Sequence, residues 1–233
     1  MNRSAKMKLF QIVGTVALSL SAIASAMPDA TVYPPATPSD RQSRFSLVGD
    51  IAQPGFTRLY VYDMKLGIFV DRYLISPGTA QFPTSGTAFR IDRAIILPTW
   101  TPPNSPWAAG MAPKPGGIGN PMGLLKMSLG QYSQYIHGIP KSEEPRLGTA
   151  ASHGCLRMSS PNVLQLYQRY AGVGTRVTLN RDLAKSRAWN ADFKARGMQS
   201  HPITDGSELV PGALLKQYPA VMEYHDAVTP VTR

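Results

Sequence analysis

The chain has 233 residues, enough for one domain with a substantial core and for extensions at its ends. Twenty glycines, 21 prolines and only 16% charged residues favour a β-rich, loop-rich protein over a helical bundle. The net charge of +10 suits an anionic partner such as a cell wall or a membrane surface. Nucleic acid is a weak contender, because the basic residues are scattered and no nucleic-acid-binding motif is present.

The amino terminus has the pattern of an export signal. Three basic residues precede an apolar run over residues 9–24, and Ala24-Ser25-Ala26 fits the small-residue rule for cleavage. An uncleaved membrane anchor is the alternative, but the run is short for a span and is interrupted by a glycine and several serines. We therefore predict that residues 1–26 are a cleaved signal peptide and that the protein is exported to the periplasm or cell envelope.

After the predicted signal peptide, the sequence first becomes rich in proline and then takes on the apolar spacing of strands. Residues 27–44 contain four prolines and are predicted to form an extended linker. From Phe45 onward the spacing of apolar residues is typical of strands, separated by turns rich in glycine, proline and serine. The predicted strands cover residues 57–64, 67–76, 88–97, 123–129, 132–137 and 175–180.

Two helices are predicted near the end of the chain. Ser160 and Pro161 begin the first as N-cap and first helical residue, and Gly172 ends it. The second covers residues 182–196, with Asp182 as its cap. Its two aromatic residues lie one turn apart, so we expect this helix to pack on the preceding domain. A further short helix is predicted near residue 214.

Residues 98–121 contain seven prolines and four glycines, which excludes long regular elements. Trp100 and Trp107 lie in this segment, and two interpretations stay open. The segment is either an ordered surface loop whose tryptophans cover the core, or a wall of a binding site whose aromatic faces hold a peptide or a sugar.

The chain has one cysteine, Cys155, and two of its four histidines, His137 and His153, lie within eighteen residues of it. In an oxidising compartment a single cysteine cannot form an intramolecular disulfide, so it is either buried and inert or kept free for chemistry. A thiolate is the reactive form, and a nearby imidazole can accept the thiol proton. A zinc site from these three side chains lacks a fourth ligand at a recognised spacing. A papain-like protease has its cysteine and histidine in the opposite order.

His137-Gly138, followed after a loop by Ser152-His153-Gly154-Cys155-Leu156-Arg157, resembles the signature of the L,D-transpeptidase (YkuD) family. The resemblance covers about residues 45–180, which we take as the catalytic domain, and ends before the extension 181–233. It implies a mainly β fold: a twisted antiparallel β-sandwich or partly closed barrel with one or two flanking helices. Ser76-Pro77-Gly78 stands where the family usually has Ser-Thr-Gly, a modest departure.

The resemblance assigns roles to the residues of the signature. Cys155 corresponds to the nucleophile and His137 to its base, while the main-chain carbonyl of Gly138 fixes the imidazole tautomer. The run His153-Gly154-Cys155 offers consecutive backbone N–H groups that can form an oxyanion hole, with His153 itself in a supporting role, and Ser152 is expected to hydrogen-bond within the turn. For Arg157 two roles stay open: anchoring a substrate carboxylate or bracing the loop. Trp100 and Trp107 are candidate substrate contacts.

The activity implied by the family is transpeptidation of peptidoglycan without a metal or organic cofactor. Cys155 would attack the carbonyl of the third stem-peptide residue, release D-alanine and pass the acyl group to an amine. The acceptor is a peptidoglycan amine or a lysine of an envelope protein, and water would make the enzyme a carboxypeptidase. Carbapenems are expected to acylate the thiol. A wall-binding module with an unused thiol is the alternative from another class.

Overall fold

The computed structural model describes residues 38–117, 119–130 and 133–198. The predicted signal peptide, most of the predicted linker and the predicted helix near residue 214 lie outside these ranges. Two 3₁₀ helices cover Pro106–Ala108 and Lys141–Arg146. The other elements, in chain order, are α1 Pro38–Arg44, β1 Phe45–Asp50, β2 Arg58–Asp63, β3 Ile68–Leu74, β4 Ala88–Arg90, β5 Arg93–Ile96, β6 Leu125–Ser128, β7 Tyr135–His137, β8 Leu156–Arg157, α2 Ser160–Arg169, β9 Arg176–Asn180 and α3 Leu183–Ala195.

The strands form two sheets, with the orders β3-β2-β1-β9-β4 and β5-β6-β7-β8. Strand alternation sends one face of each sheet into a shared apolar core, which α2 completes with Val163, Leu164 and Leu166. The mainly β fold class is thereby confirmed. Both sheets are mixed, because β1 pairs parallel with β9 and β7 pairs parallel with β8. The described strands close no barrel, and no helix among the described residues is long and apolar enough to cross a membrane.

The single strand predicted over residues 88–97 is in fact two strands in different sheets. β4 pairs with β9, whereas β5 pairs with β6. The transfer occurs at two consecutive residues: the N–H of Ile91 donates to Thr175 O at 3.0 Å, and the N–H of Asp92 donates to Ser128 O at 3.1 Å. A change in the phase of the apolar residues at this bend marks the transfer in the sequence.

Two further predictions need correction. Residues 38–44, predicted as part of an extended linker, form α1. The N-cap of α2 is Ser159, whose Oγ accepts from the N–H of Asn162 at 3.4 Å. Ser160 is instead the first helical residue, and its hydroxyl donates to Ile139 O at 2.9 Å.

The helix α3 packs on the outer face of the first sheet, as predicted. Asp182 caps it by accepting from the N–H groups of residues 184 and 185 at 2.8 and 3.2 Å. Phe193 is fully buried and meets the Tyr60 ring edge-on at a centroid distance of 5.8 Å, while Trp189 lies 5.2 Å from Phe69. These aromatic contacts form a second apolar cluster on the face of the sheet that points away from the main core.

A buried carboxylate also ties α3 to the sheet. Asp50, at the end of β1, is fully buried. It accepts from Asn180 Nδ2 at 3.0 Å and from Ser186 Oγ at 2.7 Å. A buried charge is tolerated only when such donors satisfy it, so the end of β9 and the first turns of α3 are held at the position of Asp50.

Phe193→Ala tests how strongly α3 supports the domain. We expect the free energy of unfolding to fall by about 3 to 5 kcal/mol, because a large ring is removed from a closed aromatic cluster. Urea denaturation followed by fluorescence measures the change. The exposed neighbour Lys194 provides the matched control, and Lys194→Ala should stay within about 0.5 kcal/mol of the unmodified protein. Equal unfolding midpoints for both variants would show that the Phe193 ring contributes no stability.

Candidate active site

The turn that contains Cys155, residues 152–157, is hydrogen-bonded at both ends to the segment that follows β3. The N–H of Arg157 donates to Ser76 O, and the N–H of Ser76 donates back to Arg157 O, both at 2.9 Å. Ser152 is held in the same way, since its N–H donates to Pro77 O at 3.0 Å and its carbonyl accepts from the N–H of Thr79 at 3.1 Å. Both ends of the turn are thus fixed to one extended segment.

Within the turn, the hydroxyl of Ser152 acts as a brace. It accepts from the N–H of Gly154 at 3.0 Å and donates to the carbonyl of Cys155 at 2.6 Å, which confirms the predicted hydrogen bonding of Ser152. Gly154 has φ of +111°, a conformation that favours glycine. Its N–H is occupied by Ser152, which corrects the prediction that Gly154 supplies an oxyanion-hole donor. For the N–H groups of His153 and Cys155 the described residues provide no partner.

The parallel pairing of β7 with β8 brings the two predicted catalytic side chains together. Ile136 is opposite Leu156 and His137 is opposite Arg157, so Cys155 falls opposite Tyr135. Because side chains alternate along a strand, Leu156 and Ile136 enter the core, and the histidine and the cysteine share the other face. They lie diagonally across strands that are about 4.8 Å apart.

The imidazole of His137 is buried, with only 3% of the residue exposed. Its Nδ1 lies 2.6 Å from Gly138 O, a contact in which Nδ1 must carry the proton because a carbonyl only accepts. Burial lowers the pKa of His137 from 6.5 to about 4, the Gly138 contact opposes this, and Arg157 and Lys126 lower it further. The histidine is therefore neutral near pH 7, with Nε2 as an acceptor.

Gly138 is packed so tightly that its position has little freedom. A Cβ added to Gly138 would lie 2.6 Å from Ser160 Oγ, and one added to Gly123 would lie 2.5 Å from the carbonyl carbon of Gly138. The N–H of Gly138 also donates to Leu125 O at 3.0 Å. Only glycine fits at these two facing positions, and their contact fixes the carbonyl that holds the imidazole.

The thiol of Cys155 is free and largely enclosed. Burial raises its pKa, while a hydrogen bond from the backbone of Tyr135 and the charges of Arg157 and Lys126 lower it by less. The resting pair is thus a neutral thiol beside a neutral imidazole. Such a pair can act by general base catalysis, in which the imidazole removes the thiol proton as the sulfur attacks.

His153 is exposed, and two aromatic rings contact its imidazole. Trp107, on the proline-rich loop, stacks on it at a centroid distance of 4.0 Å and an interplanar angle of 10°. Phe82 contacts the same ring at 4.7 Å. The pKa of His153 is lowered by burial of the ring and by Arg157 and Arg146. The proline-rich loop therefore contacts the turn before Cys155, because its Trp107 stacks on His153, two residues before the cysteine.

Trp100 has a different position from Trp107. It is 6% exposed, and its backbone exchanges two hydrogen bonds of 2.8 and 2.9 Å with Lys114. Asn120 closes the same loop, because its Nδ2 donates to the carbonyls of Pro98 and Pro115 at 2.9 and 2.7 Å. The Trp100 ring offers little surface to a substrate and covers the core, as one of the two interpretations predicts.

Arg157 contacts the loop more than the open site. Its Nη1 donates to Ala151 O at 3.2 Å and lies 3.7 Å from Glu143 Oε2. Its side chain is 20% exposed. These contacts favour the bracing role over the anchoring of a substrate carboxylate.

The sequence interpretation missed Lys126 and Tyr135. Lys126 is opposite His137 across the β6–β7 pairing, and Tyr135 is two residues before that histidine on the same face. Alternation within the predicted strands 123–129 and 132–137 was the signal that could have found them.

Neither a metal cluster nor a large cavity marks this site. The described residues contain no group of three or more His, Cys, Asp or Glu side chains suited to a metal ion. A wide surface groove of about 560 Å³ lies at β4, lined in part by Phe89, Arg90 and Arg176, and contains none of the predicted catalytic residues. We base the assignment on the hydrogen-bonded geometry around His137 and Cys155, because reactivity depends on neighbouring groups rather than on cavity size.

The chain is similar in fold to solved L,D-transpeptidases. An L,D-transpeptidase from Mycobacterium smegmatis is 17% identical with a TM-score of 0.46, and the match covers 59% of this chain and 58% of that one. L,D-transpeptidase 3 from Mycobacterium tuberculosis, in complex with a faropenem-derived adduct, is 16% identical with a TM-score of 0.45, covering 59% and 60%. The catalytic domain of an Enterococcus faecium L,D-transpeptidase is 18% identical with a TM-score of 0.44, covering 58% and 96%. The match spans about three fifths of the mycobacterial chains.

No curated protein sequence matches the chain. The sequence model of the YkuD family, described as the L,D-transpeptidase catalytic domain, matches residues 50–179. This range is more than half of the chain and contains both the histidine of β7 and the cysteine before β8. The chain belongs to the YkuD family of L,D-transpeptidase catalytic domains.

Proposed function

We propose that the protein is a peptidoglycan L,D-transpeptidase that uses Cys155 as its nucleophile and His137 as its base. The observation that supports this most directly is the arrangement of the two side chains. They share one face of neighbouring strands, and the contact from His137 Nδ1 to Gly138 O leaves Nε2 as a proton acceptor. Substrate binding alone would not require a buried, neutral imidazole held in one tautomer beside an enclosed thiol.

In the proposed acylation, Nε2 of His137 accepts the thiol proton while Sγ of Cys155 bonds to the carbonyl carbon of the third stem-peptide residue. The N–H groups of His153 and Cys155 are the candidate donors to the oxyanion, since the N–H of Gly154 is occupied. The carbon–nitrogen bond to D-alanine then breaks, and the imidazolium protonates the leaving amine. An acceptor amine attacks the thioester, loses its proton through His137 and regenerates the thiol.

The cellular setting and partners belong to the same proposal. The amino-terminal signal pattern supports export to the periplasm or cell envelope. The net charge of +10, which becomes +7 when the three basic residues of the predicted signal peptide are removed, supports contact with an anionic wall. We propose that carbapenems acylate Cys155, as the family resemblance implies, and the complex of a family member with an adduct derived from faropenem, a related β-lactam, supports this. The acceptor is a peptidoglycan amine or an envelope-protein lysine, and water is the competing acceptor that the first experiment separates.

Cys155→Ala tests the nucleophile. The unmodified protein, incubated with a diaminopimelate tetrapeptide, should release D-alanine and form a cross-linked dimer, and meropenem should add its mass to the protein. The variant should do neither, because no other thiol is present in the chain. Intact-mass spectrometry and chromatography of the products measure both. Tripeptide without dimer would assign hydrolysis, and an untouched substrate together with no meropenem adduct would overturn the catalytic proposal.

The pH dependence of acylation tests the state of His137. With the pKa of His137 lowered to about 4, the histidine remains a base down to that pH. The rate of meropenem acylation should therefore fall only below pH 5, with a midpoint near 4, and not near the ordinary value of 6.5. Stopped-flow fluorescence between pH 3.5 and 8 measures the profile.

His137→Gln provides the control for this profile. It should lower the rate by about 10² to 10⁴ and remove the acidic limb, because no base remains to titrate. Circular dichroism at each pH verifies that both proteins stay folded. A midpoint close to 6.5 in the unmodified protein would contradict the lowered pKa of His137.

Trp107→Ala tests whether the proline-rich loop serves the reaction. Loss of the stack on His153 should raise KM for the tetrapeptide about 2- to 10-fold, because an aromatic pair contributes roughly 0.5 to 1.5 kcal/mol. Iodoacetamide, which is too small to need the loop, should alkylate Cys155 at least as fast as before. Trp107→Phe keeps an aromatic face and should retain most of the affinity. Unchanged KM in the alanine variant would leave Trp107 as a surface cover only.

A further inference from the structure

The face that carries His137 and Cys155 continues across two more strands. The register aligns Tyr135 with Ser128 and then Arg93, and it aligns His137 with Lys126 and then Ile95. The side chains beyond the histidine enclose a pocket of about 110 Å³, which we name the Lys126 pocket. It is lined by Arg93, Ile95, Lys126, Ser128 and Tyr135.

Two cations of this pocket have no counter-ion in the described part of the chain. The salt bridges found there involve neither Lys126 nor Arg93. Lys126 is half-buried, and its Nζ lies 5.2 Å from the centroid of the Tyr135 ring, which positions the ammonium group. Asp92, the nearest acidic residue in sequence, lines the separate groove at β4. Two unpaired cations that converge on a small pocket form a site for an anion.

The pocket also lies at a distance that a bound peptide can reach. Cys155 precedes β8, and Lys126 lies on β6, two strands away, which corresponds to roughly 10 Å across the sheet. Cys155 falls opposite Tyr135 by the register of β7 and β8, and the Tyr135 side chain forms one wall of the pocket. A peptide whose third-residue carbonyl lies at Cys155 would therefore extend its neighbouring groups over Tyr135 towards Lys126.

We propose that the Lys126 pocket binds a carboxylate of the acyl-donor peptide, with Lys126 and Arg93 as the charged contacts. Ser128 supplies a hydroxyl at the same place, and Ile95 supplies an apolar wall for methylene groups next to the carboxylate. This inference rests on the proposed function and deepens it. Two carboxylates of a diaminopimelate tetrapeptide have this chemistry: the one at the far end of the diaminopimelate side chain and the one at the end of the leaving D-alanine.

Binding to a Cys155→Ala background tests the pocket without turnover. Calorimetry compares Lys126→Gln and Arg93→Gln in that background with three peptides. They are the free tetrapeptide, the tetrapeptide with a D-alanine carboxamide, and the tetrapeptide with a diaminopimelate side-chain carboxamide. Each substitution should weaken binding of the free tetrapeptide about 10- to 100-fold, as expected for a charge-assisted contact.

The peptide that lacks the bound carboxylate identifies the source. This carboxamide peptide should bind the Cys155→Ala protein about as weakly as the free tetrapeptide binds the protein that also has Lys126→Gln. Adding Lys126→Gln should not weaken the binding of the carboxamide peptide further. Lys126→Arg should restore most of the affinity. Lys65→Gln removes the same charge from an exposed turn and is the matched control, expected to bind like the background protein.

Two results would overturn the pocket assignment. In the first, Lys126→Gln binds the free tetrapeptide as tightly as the background protein does. In the second, Lys126→Gln weakens the binding of all three peptides by the same factor. Unfolding midpoints of the variants exclude a loss caused by misfolding. The proposed function is judged separately, by turnover of the tetrapeptide by the protein with Cys155 intact. A failure there leaves the binding comparison fully interpretable.

Discussion

The short parallel pairing of β7 with β8 is the constraint on which the candidate active site depends. It has only two paired positions, and it is extended by the hydrogen bond from the N–H of Met158 to His137 O at 2.9 Å. Its register decides which side chains face solvent, so a slip of one residue would send Cys155 into the core. The chain prevents such a slip by clamping the other edge of β8 to Ser76, which leaves the turn between two fixed neighbours.

Close packing around Gly138 also fixes the orientation of the His137 imidazole. Gly138 is pressed against both Gly123 and Ser160, and the hydroxyl of Ser160 accepts from Leu124 N and donates to Ile139 O. The carbonyl that accepts from His137 Nδ1 therefore has a fixed direction. The first residue of α2 thus supports the imidazole through its hydroxyl and its close contact with Gly138.

Local signals in the sequence predicted much of this molecule, and the exceptions have physical reasons. Strand alternation, the cap at Asp182 and the His137 and Cys155 motif all depend on neighbouring residues, so they could be read from the sequence. The division of residues 88–97 between two sheets depends on distant partners, Thr175 and Ser128. The occupied N–H of Gly154 depends on the rotamer of Ser152, and the exposure of Trp107 but not Trp100 depends on the course of a whole loop.

The electrostatics of the site are consistent with both halves of the proposed reaction. Burial lowers the pKa of His137 and raises that of Cys155, so neither is charged at rest. Arg157 and Lys126 lower both pKa values, which favours the thiolate and disfavours the imidazolium. In the proposed reaction, an imidazolium formed at His137 is a strong acid, because the pKa of His137 is lowered to about 4. Its proton is therefore readily given to the departing D-alanine, and it cannot return to sulfur once Sγ is bonded to the acyl carbon.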